Sequence, residues 1–190
     1  MSTELPPLDA TREALRRHVL AHSVRTGTFT LKSGRTSTWF LDTKQTACDP
    51  DGILAVADVA LALLPPEVTA IGGLTMGADP VAFGIAAVAA VRGRPLRSFS
   101  VRKEAKTHGI TGRIAGALRP GDVVAVVEDT VTRGTSIMEA VHAVREFGAT
   151  PLLATAIVDR GGTCGAMANE SGVQFIAMLT APDLGYGFGT

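Results

Sequence analysis

Two cysteines in 190 residues, Cys48 and Cys164, are too few for a disulfide framework, and neither stands in a spacing used by metal ligands. Net charge is missing as well. Eighteen basic side chains meet eighteen acidic ones, so there is no electrostatic case for a nucleic-acid or anionic-membrane partner. The most apolar helical run, residues 81–91, is too short to span a bilayer. The first residues offer Pro6-Pro7 and then a charged amphipathic segment where a secretory signal would have an apolar core. No repeat or low-complexity stretch occurs. No strand leads into Gly-x-Gly-x-x-Gly, which argues against a generic dinucleotide binder. These absences lead to the expectation of a soluble, cytoplasmic protein, with residues 1–190 forming one domain around a full-sized core.

What the chain does have is concentrated in residues 123–136. Val123-Val124-Ala125-Val126-Val127 has the length and β-branched content of a buried strand and is too short for a typical helix. It ends in two adjacent acids, Glu128 and Asp129. A loop of Thr, Gly and Ser follows, then a helical pattern through Ile137, Met138, Ala140, Val141 and Val144. This order puts the loop at the carboxyl end of a parallel strand, where open α/β sheets bind ligands. Backbone N–H groups of residues 132–136 at the helix N-terminus suit a phosphate. Glu128 and Asp129 would repel that phosphate, so they face sugar hydroxyls or a hydrated metal. A phosphate at one end and a diol at the other describe a ribose 5-phosphate. The bland alternative for the acid pair is a solvated strand end.

Around that centre the chain alternates strands and helices. Residues 8–22 set Leu15, Val19 and Leu20 against Arg12, Arg16 and Arg17, the pattern of a surface helix. Residues 28–31 and 38–41 flank Ser33-Gly34-Arg35 and predict a hairpin that caps a site. Asp49-Pro50 and Asp79-Pro80 each predict an N-cap acid followed by Pro at the first helical position, with the helices ending near Leu64 and Arg92. Strands are expected at 68–73, 96–101, 152–158 and 173–179. Residues 102–121 keep no strong period and read as a long irregular loop, with a short strand possible at 113–118. The tail, 186–189, reads as loose. The fold class that results is α/β, a mainly parallel sheet flanked by helices on both faces.

Three stretches carry a family resemblance. Glu128-Asp129-Thr130-Val131-Thr132-Arg133-Gly134-Thr135-Ser136 resembles the phosphoribosyl-diphosphate loop of the type I phosphoribosyltransferases. Arg102-Lys103-Glu104-Ala105-Lys106-Thr107-His108-Gly109 resembles the mobile catalytic loop of the orotate phosphoribosyltransferases. Phe29-Thr30-Leu31-Lys32-Ser33-Gly34-Arg35 resembles their amino-terminal hairpin. The resemblance implies the type I phosphoribosyltransferase fold, with a small hood over about residues 1–45, a core over about 46–180 and a mobile catalytic loop. It implies transfer of ribose 5-phosphate from 5-phospho-α-D-ribose 1-diphosphate to orotate in UMP biosynthesis, with Mg²⁺ and no assigned protein ligand for it. It also implies a homodimer that shares the 102–108 loop between subunits.

Residue roles follow from the same match. Lys103, Lys106 and Asp129 are the expected catalytic residues. Arg102, Lys103, Lys106, His108, Glu128, Asp129, Thr130, Val131, Thr132, Arg133, Gly134, Thr135 and Ser136 are expected at the phosphoribosyl donor. Lys32, Phe40, Thr132 and Arg160 are expected at orotate, whose carboxylate suits a guanidinium fork. The bland readings are a basic surface segment at 102–108, a turn-closing ion pair of Asp159 with Arg160, and core packing for Trp39 and Phe40. One departure stands out: many members carry a Tyr-Lys pair in the turn where this chain has Leu74-Thr75-Met76-Gly77-Ala78-Asp79, without a Lys. The alternatives are a purine or uracil phosphoribosyltransferase of the same fold, or a non-catalytic sensor of the phosphoribosyl donor.

Overall fold

The computed structural model describes residues 7–30, 34, 36–106 and 112–189, the side chains of Ala105 and Lys106 excepted. Helix α1 (Leu8–His22) leads into a hairpin of β1 (Val24–Thr30) and β2 (Thr36–Leu41). A short α2 (Lys44–Ala47) joins the hairpin to α3 (Pro50–Leu63), and then β3 (Ala70–Leu74), α4 (Ala78–Val91), β4 (Arg97–Lys106) and β5 (Gly112–Gly116) follow. The second half is β6 (Val123–Val131), α5 (Thr135–Glu146), β7 (Thr150–Asp159), α6 (Cys164–Glu170), β8 (Gln174–Phe175) and β9 (Leu179–Thr180), closed by a 3₁₀ turn at Pro182–Leu184.

The main sheet has the order β5-β4-β3-β6-β7-β8, with β9 also on β7, and its pairs are parallel except β4 with β5. Chain order changes direction between β3 and β6: β4 lies on one side of β3 and β6 on the other. The loops after β3 and β6 therefore meet at one crevice at the carboxyl edge, where such sheets accept ligands. Residues 123–127 of β6 are all apolar because both faces of the strand are covered there. Ala125 and Val127 join the core shared with α1, α3 and α4, while Val124 and Val126 join the one shared with α5 and α6.

Local chemistry explains most boundaries. Asp49 caps α3, accepting from the N–H groups of Asp51 (3.0 Å) and Gly52 (2.9 Å), with Pro50 as first helical residue. The second Asp-Pro pair behaves differently from expectation. α4 starts at Ala78 with Gly77 as its cap, so Asp79 and Pro80 lie inside the first turn. Pro is tolerated there because first-turn N–H groups have no intrahelical partner. Asp79 is free to accept from the hydroxyls of Thr75 (2.6 Å) and Ser100 (2.7 Å).

The strand expected at 173–179 is two short ones, β8 and β9, and three other expectations change. β6 does not stop at the acids but runs to Val131, because Thr130 and Val131 still pair with Val158 and Asp159 of β7. Arg102 to Lys106 are not irregular: they extend β4, and β5 returns antiparallel beside them, with Val101 opposite Ile114 and Lys106 opposite Gly112. The tail is tied down, Tyr186 stacking on Trp39 (centroids 4.2 Å, planes 7° apart) and the Gly189 N–H donating to the Arg160 carbonyl (2.9 Å).

Candidate active site

The site is built on the ends of β6 and β7. Beyond Val131 the chain turns through residues 132–134 into α5, whose N-cap, Gly134, sits at φ 88°. A side chain there would be strained, and its Cβ would fall 2.9 Å from Cys164 Sγ, so glycine fits both the left-handed backbone and the packing. Thr132, Arg133, Thr135 and Ser136 are exposed around the start of α5. Glu128 and residues 130–137 line a hollow of about 270 Å³. First-turn N–H groups of α5 border it, an anion-favouring arrangement.

Both acids are buried. Burial first, and then the charge of Asp129, pushes the Glu128 carboxyl up to about 8, with Lys44 pulling the other way. The turn after β3 lies directly on the pair. A Cβ at Gly77 would come within 2.4 Å of Glu128 Oε1 and 2.8 Å of Asp129 Oδ1. That approach explains glycine at 77 and brings residues 75–77 to the donor loop. Thr75 donates its hydroxyl to Asp79, and the Thr75–Met76 peptide is cis.

The next loop along the sheet rests on the first. The Arg160 N–H donates to the Val131 carbonyl (2.8 Å), and Gly161 passes so close to the Thr132 carbonyl that a Cβ would lie 1.6 Å from it. Asp159 accepts from the N–H groups of Gly161 and Gly162 (both 2.9 Å), which organises the turn. The Arg160 guanidinium reaches the hood, donating to Ser37 Oγ (3.1 Å) and lying over the Trp39 ring, 4.6 Å from its centroid. Burial lowers its pKa from the ordinary arginine value.

These contacts sort the expected site residues. Glu128 to Ser136 and Arg160 are brought to adjoining loops at one edge. Phe40 is not brought to Arg160: β2 alternates, so Ser37, Trp39 and Leu41 turn inward and Phe40 turns out. Phe40 borders a separate hollow of about 230 Å³ with Arg25 and Asp42. Arg102 donates to the Gly112 carbonyl (3.2 Å) across the β4–β5 arms, and Lys103 is exposed on β4. Among the described residues no ion pair joins Lys103 to the donor loop. Lys32, His108 and the Lys106 side chain lie outside the described residues.

Sequence reasoning missed two residues that meet the end of β6. Lys44, first residue of α2, pairs its ammonium with Asp129, and Thr43 Oγ1 meets Thr130 Oγ1 at 2.7 Å. Burial opposes the charge on Lys44, but the hydrogen bond and charge of Asp129, with Asp42 and Glu128 behind it, raise its pKa overall. No local signal marks these residues, because 85 positions separate the partners.

No protein-family model matches the chain. Individual proteins do. The chain is 40% identical over 176 residues to an orotate phosphoribosyltransferase of Streptomyces coelicolor, covering 92% of this chain and 97% of that one. It is 36% identical over 187 residues to that of a Nostoc species, covering 96% and 91%. The chain belongs to the orotate phosphoribosyltransferase family. Solved structures agree: the orotate phosphoribosyltransferase of Mycobacterium tuberculosis, crystallised with Fe(III) dicitrate, superposes with a TM-score of 0.82 at 34% identity, over 92% of this chain and 99% of that one. The same enzyme with 5-phospho-α-D-ribosyl 1-diphosphate gives a TM-score of 0.76 at 30% identity, covering 92% and 99%.

Proposed function

We propose that the chain transfers ribose 5-phosphate from 5-phospho-α-D-ribose 1-diphosphate to N1 of orotate, releasing diphosphate and forming orotidine 5-monophosphate, a step towards UMP. The observation that carries this reading is the adjoining pair of loops. Buried acids and a helix N-terminus suit the diol and the 5-phosphate, and a guanidinium stands one strand away for a carboxylate.

The C1–O bond to diphosphate breaks and a C1–N1 bond forms, with orotate giving up its N1 proton. Positive charge builds on the ribose ring and negative charge on the leaving group. Glu128 and Asp129 hold the ribose hydroxyls, directly or through water. Backbone N–H groups and hydroxyls of residues 130–136 hold the 5-phosphate. Lys103 and Lys106 answer the charge on the departing diphosphate and, with Arg102 and His108, close over it and exclude water. Thr132 and Arg160 orient orotate, with Lys32 reaching it from the hood. Residues 1–45 act as that hood over a core of residues 46–180.

Mg²⁺ fits the donor set, since two crowded carboxylates, one held protonated towards pH 8 by burial, are relieved by a hard dication that prefers oxygen. Glu128 and Asp129 would face it, and bound there it would neutralise the diphosphate. We read the assembly as a homodimer exchanging its 102–108 loops. Supporting this, the solvent side of α4 and its approach present Met76, Phe83 and Val91, exposed by 72%, 47% and 83%. No helix among the described residues is long and apolar enough to cross a membrane, and we place the enzyme in the cytoplasm.

The test is direct. Orotate absorbance should fall when the phosphoribosyl donor is added with Mg²⁺ and stay constant without Mg²⁺. Turnover of adenine or uracil in preference to orotate would reject the reading.

A further inference from the structure

The 74–79 turn contains no Lys or Arg, although it lies against the two acids and borders the place where a diphosphate would sit. A cation is nevertheless present at Asp129. Lys44 enters from α2, on the hood side, and pairs with a carboxylate whose side chain is only 12% exposed, while its own is 45% exposed. That asymmetry matters: the acid is fixed by the strand, but the lysine lies on a flexible four-carbon stem, half in solvent. The backbone carrying it is held firmly. Thr43 bonds Thr130, Thr46 bonds both Ser23 (2.7 Å) and His18 (3.2 Å), and His18 also meets Asp49 (3.1 Å), the cap of α3. The α2 backbone thus stays put while the ammonium is able to move.

A ribose diol and a lysine ammonium compete for the same carboxylate oxygens. Resting on the reading of this crevice as the phosphoribosyl-donor site, we propose that Lys44 is an exchangeable donor-site cation. In the empty site it neutralises Asp129. When the ribose hydroxyls take Asp129, the ammonium is released and turns to the diphosphate, supplying the positive charge that the 74–79 turn lacks. No bond is made or broken in this exchange; one ion pair replaces another.

The two halves of the donor separate the two roles. Ribose 5-phosphate carries the diol without the diphosphate, and magnesium diphosphate carries the reverse. By calorimetric titration, Lys44→Met should bind ribose 5-phosphate more tightly, by about three- to tenfold, because its competitor is gone. It should bind magnesium diphosphate more weakly, by about tenfold, because a charge-assisted contact is lost. Lys44→Arg should stay near wild type for both ligands. Loss of a merely structural contact would weaken both together or neither, and either result overturns the exchange. A second variant guards against misfolding of the first: Asp129→Asn frees Lys44, so diphosphate titrated without magnesium should bind more tightly than to wild type, and this gain should vanish in the double variant with Lys44→Met. A gain that persists without Lys44 overturns the proposal. If wild-type protein binds neither ligand, the donor-site reading itself fails and the exchange falls with it.

Discussion

Arg160 lies over Trp39, its guanidinium carbon 4.6 Å from the ring centroid, and Trp39 in turn stacks on Tyr186 at 4.2 Å. A residue at the end of β7, the hood hairpin and the chain's last segment are thereby joined in one contact chain. The ring and the Ser37 hydroxyl together hold the guanidinium in place before any carboxylate arrives.

Arg160→Ala should therefore lower kcat/KM for orotate by about 10- to 150-fold, the range for a lost hydrogen bond to a charged group. Uracil, which lacks the carboxylate, should be little affected. Arg160→Lys should not rescue, because an ammonium has neither the fork nor the flat face. An unchanged preference for orotate over uracil would remove Arg160 from the base site.

Tyr186→Ala should destabilise the protein by about 1–3 kcal/mol through lost ring packing, and Tyr186→Phe by much less, as read by denaturant unfolding. Because the lost contact supports Trp39, the alanine variant should also raise the orotate KM. A neutral Tyr186→Ala would mean that the tail contributes nothing to the hood.

Lys103 is exposed on β4. If it meets the leaving diphosphate only as charge develops, Lys103→Ala should cut kcat by about 10²-fold or more with a smaller change in donor KM. Steady-state turnover within a few-fold of wild type in both directions would contradict the role.

The pH dependence of stability follows from Glu128. Its carboxyl is raised from the ordinary 4.5 to about 8 by burial and by Asp129, so the folded form prefers it protonated. Its contribution is complete below about pH 4.5 and is lost as pH rises towards 8. Glu128→Gln should match wild type near pH 4.5 and melt higher near pH 8.5, by about 2–4 °C for each kcal/mol gained. A difference that does not grow with pH would show that the acid is not strained by its setting.

The two thiols should separate cleanly. Cys48 is exposed, whereas Cys164 is buried under Gly134 and pushed up to about 11 by burial and by Asp159. A disulfide reagent at pH 8 should label Cys48 quickly and Cys164 only on unfolding. Rapid native labelling of Cys164 would mean that the donor loop opens readily.

Much of this protein is written in short-range pattern. Val123 to Val127 specify a strand covered on both faces, and the glycine and hydroxyls beyond Asp129 specify a turn into a helix N-terminus. Both depend on neighbours within a few residues, so the sequence by itself determines them. Asp49-Pro50 opens a helix for the same local reason. Asp79-Pro80 looks identical, yet the hydroxyl of Ser100, from the next strand, joins that of Thr75 in claiming its carboxylate, and the cap moves to Gly77. Residues 102–106 lack a period because they are the arm of a hairpin whose order comes from β5 beside them, not from their own spacing. The tail reads as loose for want of apolar periodicity, but one aromatic ring on Trp39 holds it. Only the folded chain brings Lys44 to Asp129: a cation absent from the expected turn arrives from a four-residue helix far away in sequence, because charge pairing is decided by distance in space.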